Sequence, residues 1–223
     1  MSLRLLLDSA DAEAWRKWIP SGLFAGITTN PSLLRRANQP CRIEHLQHLV
    51  DEANQLGCQE LHLQAWGQNS DELFQCGTAI AALARPGMHL HLKLPVTKAG
   101  SQAASQLIAA GSSVTFTACY EIHQVLIAAA LGATYIAPYL GRINDQGHDG
   151  IAALTTMQHV LDGMGSNCKL LVASLRQRNE LSQLAAAGIS DFTISPKLAD
   201  ELFDVPATLS AAAAFEQDAA AGT

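Results

Sequence analysis

The 223-residue sequence is 48% hydrophobic and 15% charged, with a formal net charge of −6. The low charge content argues against a disordered chain, and the mild acidity argues against a general binder of nucleic acids or anionic membranes, which would carry a basic patch. No apolar run is long enough to span a bilayer, and the first residues show no signal-peptide pattern. The five scattered cysteines predict reduced thiols in a cytoplasmic protein.

Short strand patterns alternate with helical patterns along the chain. The predicted strands are Leu3–Asp8, Phe24–Thr28, Glu60–Trp66, His89–Thr97, Ser113–Thr117, Thr134–Pro138, Lys169–Ser174 and Asp191–Ile194. The predicted helices are Asp11–Ile19, a short helix opening at Pro31, Cys41–Leu56, Ser70–Ala84, Ser101–Ala110, Glu121–Leu131, Gly150–Leu161, Arg178–Ala187, Leu198–Phe203 and Ala207–Phe215. Residues 141–149 are predicted to form a polar loop, and the Ala-rich tail after Phe215 to be frayed or to depend on a partner.

The alternation of strands and helices predicts a parallel sheet in an α/β protein. Eight such units with no linker between them predict a single (β/α)8 TIM barrel over residues 1–223, with an extra C-terminal helix at about 206–217. An open doubly wound sheet is the alternative. That fold would favour a glycine-rich phosphate turn after the first strand, and the segment Asp8–Asp11 offers none.

The fourth predicted strand carries leucines at alternate positions, with Lys93 on the opposite face. Taken alone, the pattern favours a solvated lysine on an edge strand, because interior lysines are rare. In a barrel whose strand leucines pack beneath helices, Lys93 points into the interior instead. Burial there favours the neutral amine, which is the form that attacks carbonyl groups.

Every predicted strand brings a polar side chain to its carboxyl end, where (β/α)8 barrels carry their active sites. These residues are Asp8, Thr28, Thr29, Asn30, Gln64, Lys93, Thr115, Thr117, Tyr139, Ser174 and Ser195. Arg142 and Arg176 follow two of the strands closely and predict a phosphate clamp. Each residue also has a purely structural interpretation, such as a helix cap for Asp8 or a turn residue for Asn30.

Five segments resemble the signatures of the transaldolase and fructose-6-phosphate aldolase family. They are Gly26–Leu34, Lys93–Thr97, Thr117–Tyr120, Ala137–Ile143 and Ala173–Arg176, and they occur in the family's order and spacing. The resemblance extends from Leu3 to about Asp218, and the chain length is similar to that of the short, single-barrel branch.

This resemblance implies class I aldolase chemistry with no metal and no organic cofactor. Lys93 would form a Schiff base with the C2 ketone of fructose 6-phosphate, after which the C3–C4 bond breaks and glyceraldehyde 3-phosphate leaves. By resemblance, the catalytic residues are Lys93, Asp8, Gln64, Thr117 and Tyr139, of which the last three would hold a proton-shuttling water. By the same resemblance, the substrate-binding residues are Asn30, Thr28, Arg142, Ser174 and Arg176.

Cleavage would leave a three-carbon dihydroxyacetone enamine on Lys93, and two activities differ in how this enamine reacts. Hydrolysis after protonation makes the enzyme an aldolase, whereas attack on erythrose 4-phosphate makes it a transaldolase of the pentose phosphate pathway, yielding sedoheptulose 7-phosphate. Gln64 and Tyr139 resemble the aldolase branch, since transaldolases usually carry Glu and Phe there. Arg176 favours the other branch, because the ordinary aldolase pattern has Lys at that position.

Two further alternatives remain open from the sequence. One is a non-catalytic barrel that binds sugar phosphates. The other is a deoxyribose-phosphate aldolase type, which usually places a second lysine near the Schiff-base residue; Lys169 fits poorly because it begins its strand at the far end. The eight histidines show no metal-binding spacing. The resemblance also implies a homo-oligomer, a pentamer or decamer.

Overall fold

Eight parallel strands close into a barrel in chain order in the computed structural model, which describes residues 3–222. The strands are β1 Arg4–Asp8, β2 Gly26–Thr28, β3 Glu60–Gln64, β4 His89–Pro95, β5 Ser113–Cys119, β6 Tyr135–Pro138, β7 Lys169–Val172 and β8 Asp191–Ile194. The first and last strands pair with each other, with Arg4 opposite Asp191. The (β/α)8 barrel is therefore confirmed, and the open-sheet alternative is wrong because an open sheet leaves both outer strands unpaired.

The helices lie outside the barrel, between and after the strands. They are α1 Ala12–Trp18, α2 Pro31–Arg36, α3 Ile43–Gln55, α4 Ser70–Ala81, α5 Lys98–Ala109, α6 Gln124–Leu131, α7 Leu140–Asp145, α8 Gly150–Gly163, α9 Arg178–Ala186, α10 Pro196–Glu201 and α11 Pro206–Ala221. Six of them begin at a residue whose side chain accepts a hydrogen bond from a backbone N–H of the first turn. These caps are Asp11, Asn30, Asn69, Thr97, Asp149 and Ser195.

Most of the hydrophobic core lies between the strands and the helices. Leu61 and Leu63 of β3 and Leu92 and Leu94 of β4 are at most 1% exposed and belong to this layer. Because side chains alternate along a strand, the residues between them point into the barrel. That interior is largely polar: within residues 3–222, its apolar core is a small cluster of Leu6, Tyr135, Ala137 and Leu171.

Two predicted segments differ from the structure near the C-terminal side of the sequence. The first part of residues 141–149, predicted as a loop, belongs to helix α7, because Leu140 and Ile143 are buried one helical turn apart. The Ala-rich tail, predicted to fray after Phe215, continues as helix to Ala221. Within residues 3–222, no helix combines the length and the hydrophobicity needed to cross a bilayer.

Candidate active site

A cavity of about 380 Å³ opens at the carboxyl ends of the strands, the face on which (β/α)8 barrels carry their active sites. Its volume lies within the ~300–1,000 Å³ range of small-molecule sites. The lining residues are Asp8, Asn30, Pro31, Ser32, Leu33, Arg36, Gln64, Lys93, Pro95, Thr117, Ala118, Tyr139, Arg142, Ala173 and Ser174. Polar and charged side chains therefore dominate the wall.

Lys93 lies at the inner part of this cavity and is only 4% exposed. Its Nζ donates a hydrogen bond to the backbone carbonyl of Thr29, at 2.9 Å. Burial lowers the pKa of Lys93, and the negative charge of Asp8 opposes that shift. A larger share of neutral amine is thus present near neutral pH than for a lysine in water, which is the condition for nucleophilic attack on a carbonyl carbon.

Asp8 is held in place from beneath by a short chain of hydroxyl groups. Thr28 Oγ1 donates to Asp8 Oδ1 at 2.6 Å and lies 2.6 Å from Thr193 Oγ1. Burial raises the pKa of Asp8, while Lys93, the hydrogen bond from Thr28 and Arg36 lower it. A carboxyl group under these opposing influences is suited to exchange a proton with a bound substrate. The structural interpretation of Asp8 as a helix cap is wrong, because Asp11 caps α1.

Thr28, predicted from the sequence as a substrate-binding residue, lies outside the cavity lining. Its side chain is fully buried, and its hydroxyl is engaged by Asp8 and Thr193. Thr28 therefore positions Asp8 and has no surface left to contact a ligand in the cavity.

A bulge in β5 shapes the opposite wall. The register between β5 and β6 shifts between Phe116 and Cys119, and Ala118 adopts φ = 58°. A left-handed conformation costs a residue with a side chain about 1 kcal/mol or more, and such bulges often re-aim side chains at active sites. Thr117 Oγ1 here lies 2.7 Å from the hydroxyl of Tyr139.

The Tyr139 hydroxyl, directly after β6, is thus held by Thr117 of the neighbouring strand β5. Burial raises the pKa of Tyr139, although the hydrogen bond with Thr117 opposes the shift. The ring of Tyr120 packs edge-on against it, with ring centroids 5.7 Å apart. Tyr139 therefore remains a protonated hydroxyl at neutral pH and can donate a proton or a hydrogen bond into the cavity.

Asn30 and Ser174 stand at the rim with distinct local roles. Asn30 Oδ1 caps α2 by accepting from Leu33 N–H at 3.0 Å, so its amide NH2 group is the part left for a ligand. Ser174 adopts φ = 61°, and its carbonyl accepts from the backbone N–H of Gly141 at 3.0 Å. A Cβ at Gly141 would stand 2.6 Å from that carbonyl oxygen, so only glycine allows α7 to pack this closely on Ser174.

Three arginines lie near the mouth of the cavity, and two of them line it. Arg142 lines the cavity, as predicted, and so does Arg36, which the sequence reasoning missed. Arg36 follows Ser32 by one helical turn on α2, and that spacing was the available signal. Arg176 does not line the cavity, because its guanidinium forms two hydrogen bonds with Asp145, at 2.7 and 2.5 Å.

Eight of the ten predicted site residues therefore meet at one cavity, and Thr28 and Arg176 lie outside its lining. Arg36 and Arg142 place two positive charges among the described lining residues, against the carboxylate of Asp8, which suits an anionic ligand. No second lysine appears among the described residues of the lining, and Lys169 is exposed at the opposite end of β7. That arrangement argues against the two-lysine alternative.

The family model described as Transaldolase/Fructose-6-phosphate aldolase matches residues 5–223. The chain belongs to this family. It is accordingly an enzyme of the Schiff-base aldolase and transferase class.

Two relatives agree with this family, and a solved structure is similar in fold. A probable transaldolase of Chelativorans sp. (strain BNC1) is 29% identical over 218 residues, covering 97% of this chain and 96% of the relative. Probable transaldolase 2 of Listeria monocytogenes is 29% identical over 206 residues, with 92% and 91% covered. A solved structure titled "Native KDPGal structure" aligns with a TM-score of 0.60 at 14% identity, covering 87% of this chain and 82% of that one. The last similarity supports the barrel fold alone.

The electrostatic influence of Asp8 on Lys93 predicts a pH effect that can be measured in this transaldolase-family chain without substrate. Asp8→Asn removes the negative charge that raises the pKa of Lys93, so the pKa should fall further and neutral amine should appear at lower pH. We expect the midpoint for reductive methylation of Lys93, followed by peptide mass spectrometry from pH 6 to 10, to move to lower pH. The exposed carboxylate variant Asp162→Asn should leave the midpoint in place. A midpoint that rises in Asp8→Asn would contradict the assigned interaction.

Proposed function

We propose that this enzyme cleaves fructose 6-phosphate through a Schiff base on Lys93, releasing glyceraldehyde 3-phosphate and retaining a dihydroxyacetone unit. The observation that carries the proposal is Lys93 itself: a buried amine with a lowered pKa, in a cavity whose other charges favour a phosphate ester. The family assignment supports the same chemistry.

The steps follow from the groups that face the cavity. The Lys93 lone pair attacks C2 of the ketose, and loss of water leaves a protonated imine. Removal of the proton from the C4 hydroxyl then breaks the C3–C4 bond, whose electron pair flows into the imine to give an enamine. Asp8 lines the cavity together with Lys93 and is the proposed proton acceptor, while Asn30 offers its NH2 group to a substrate hydroxyl.

Protonation of the enamine at C3, followed by attack of water on the imine, frees dihydroxyacetone and regenerates the Lys93 amine. Tyr139, hydrogen-bonded to Thr117, is the proposed source of that proton, directly or through a water held with Gln64. These hydroxyl and amide groups favour the aldolase outcome, because a phenylalanine at 139 would offer no proton.

A transaldolase is the second candidate. The relatives from Chelativorans and Listeria are both named probable transaldolases, and their names favour transfer of the dihydroxyacetone unit to erythrose 4-phosphate. Both candidates share every step up to the enamine. They differ only in whether a proton or an aldehyde carbon reaches it first.

The deciding experiment measures glyceraldehyde 3-phosphate release from fructose 6-phosphate with and without erythrose 4-phosphate, together with product analysis. We expect steady release without the acceptor, with dihydroxyacetone formed in equal amount. Release that requires the acceptor and yields sedoheptulose 7-phosphate would reject the aldolase assignment and support the transaldolase. Release in neither condition would reject both.

Arg142 and Arg36 are the proposed phosphate contacts. Charge-assisted hydrogen bonds are typically worth about 1.5–3 kcal/mol, so Arg142→Ala and Arg36→Ala should each lower kcat/KM for fructose 6-phosphate by about ten- to hundredfold. Rates in the synthetic direction, with dihydroxyacetone and the unphosphorylated acceptor glyceraldehyde, should change little, because neither of these substrates carries a phosphate. The neighbouring Arg35→Ala, outside the cavity lining, is the matched control. Arg176→Ala should have a small effect, because Asp145 already occupies that guanidinium; equal losses in all four variants would argue against a localised phosphate site.

We also infer a homo-oligomeric enzyme of cytoplasmic sugar-phosphate metabolism, organised as one barrel domain. Helix α11 is exposed along its whole described length, with Leu209 57% and Phe215 69% exposed. Such apolar side chains on an unburied helix support an interface between copies. The five cysteines are all free, which favours a reducing compartment.

A further inference from the structure

A second cluster of chemistry-bearing side chains lies inside the barrel, below the cavity. Glu60 and His62 point inward from β3, and His91 points inward from β4 directly opposite His62. The next inward pair toward the cavity is Gln64 and Lys93, one layer higher. Since a strand rises about 3.3 Å per residue, the two layers are separated by roughly 7 Å. Glu60, His62 and His91 are each at least 95% buried.

The three side chains converge on one carboxylate oxygen. Oε1 of Glu60 lies 2.6 Å from Nε2 of His62 and 3.5 Å from Nε2 of His91. The candidate ligand atoms all lie within 4.8 Å of one another. The two imidazole rings stack with centroids 4.5 Å apart, so a modest tilt of each ring brings both nitrogens toward a common point beside the carboxylate.

Outer groups already orient two of these three side chains. Oε2 of Glu60 pairs with the guanidinium of Arg4, which leaves Oε1 directed at the imidazoles. Nδ1 of His62 lies 2.9 Å from the hydroxyl of Thr115, which can accept a hydrogen bond from the Nδ1–H group once Nε2 is engaged elsewhere. Metal-binding histidines and carboxylates are characteristically held by such outer hydrogen bonds. Nδ1 of His91, in contrast, is buried with no hydrogen-bond partner within residues 3–222.

We propose that Glu60, His62 and His91 form a binding site for one divalent transition-metal ion, with Zn²⁺ as the preferred ion. Two imidazoles and one carboxylate form a donor set that Zn²⁺ commonly takes, whereas Mg²⁺ and Ca²⁺ prefer oxygen ligands alone. A fourth position is left for water. On binding, Zn²⁺ replaces the hydrogen bond between His62 and Glu60, and the proton of His62 moves to Nδ1 and donates to Thr115.

The ion would bridge β3 and β4 beneath the nucleophile and take no part in the Schiff-base chemistry. Entry is from the amino-terminal end of the barrel, where the Arg4 side chain is 32% exposed over the cluster. The proposal is independent of the proposed function, since it uses none of the cavity residues.

The test uses the full chain without an affinity tag, stripped with a chelator and titrated with Zn²⁺ against a chromogenic competitor. We expect one equivalent to bind and the melting temperature to rise with bound Zn²⁺. Loss of a ligand in His91→Gln or Glu60→Gln should weaken binding by about a hundredfold or more, and loss of the outer hydroxyl in Thr115→Val by about ten- to hundredfold.

Two histidine variants serve as controls. His89→Gln alters an exposed histidine on the same strand, and His48→Gln alters the surface pair formed with His45. Both should bind Zn²⁺ as the parent chain does. Visible absorption of bound Co²⁺ in the parent chain, and its loss in His91→Gln, reports the ligand set even where a variant at His62 fails to fold. Binding well below one equivalent, or equal affinity in His91→Gln, would overturn the proposal and leave the cluster as an ion network of Arg4, Glu60 and His62.

Discussion

Lys93→Met should abolish turnover, lowering kcat by at least about a thousandfold, because no other amine among the described cavity residues can form the Schiff base. The side chain is similar in length and apolar, so a buried position that now holds a desolvated amine should accept it without loss of stability. Steady-state kinetics with fructose 6-phosphate measures the loss, and the melting temperature checks the fold.

Chemical trapping tests the same residue without mutation. Borohydride added together with fructose 6-phosphate should reduce the imine and attach a three-carbon adduct to Lys93, located by peptide mass spectrometry. Lys98, exposed at the start of α5, provides the control: Lys98→Met should trap and turn over normally. An adduct on another lysine, or activity retained by Lys93→Met, would refute the assignment of the nucleophile.

Tyr139→Phe should lower hydrolytic cleavage by about a hundredfold while changing transfer to erythrose 4-phosphate by less than about threefold. The physical reason is that a positioned general acid typically contributes about a hundredfold or more, and only the hydrolytic branch needs a proton at C3 of the enamine. Removing the hydroxyl also leaves Thr117 without its partner across the cavity, but preserves the aromatic packing with Tyr120. The ratio of dihydroxyacetone to sedoheptulose 7-phosphate measures the partition.

Tyr120→Phe is the matched control, because Tyr120 touches the same ring from outside the cavity lining. It should leave the ratio of the two products unchanged. If Tyr139→Phe slows both branches equally, the hydroxyl acts before the enamine forms, and Tyr139 loses the role assigned to it.

The fold could be predicted from the sequence because the strands and most helix ends are encoded by local residue patterns. Alternating leucines in β3 and β4 fix which face packs under the helices, and Gly132 and Gly188 end helices at the positions expected for left-handed residues. Helix α7 escaped prediction because its six residues are largely polar. Its two apolar side chains become informative only once the barrel provides a surface to bury them.

The candidate site was only partly predictable, because topology places the strand ends but not the direction of long side chains. Strand-end position was enough to bring Lys93, Gln64 and Tyr139 to one rim, since the barrel topology alone makes those ends converge. The direction of a long arginine side chain depends instead on its local partners. Asp145 draws Arg176 away from the cavity, and no pattern in the sequence announces that pair.

The cluster of Glu60, His62 and His91 could not be predicted from the sequence for a different reason. Motif spacing along the chain detects metal ligands that share one helix or loop, such as the two histidines of HExxH. Here Glu60 and His62 alternate along one strand, and His91 joins them only through the β3–β4 register. A search for inward-facing polar residues on adjacent strands would have found the cluster once the barrel had been inferred.

The pairing of β1 with β8, which closes the barrel, also constrains how the chain folds. β1 is complete after eight residues, yet one of its edges must wait for β8, which begins only at Asp191. During synthesis that edge stays open, and pairing between such distant segments makes folding slow and exposes strands to association with other chains. Shortening the chain before Asp191 removes strand β8 and leaves two unpaired edges, whereas shortening it after Val205 removes only the exposed helix α11, because Leu202 and Phe203 still pack on the barrel. The chain from Asp191 onward therefore divides into a part that the barrel requires and a part that it does not.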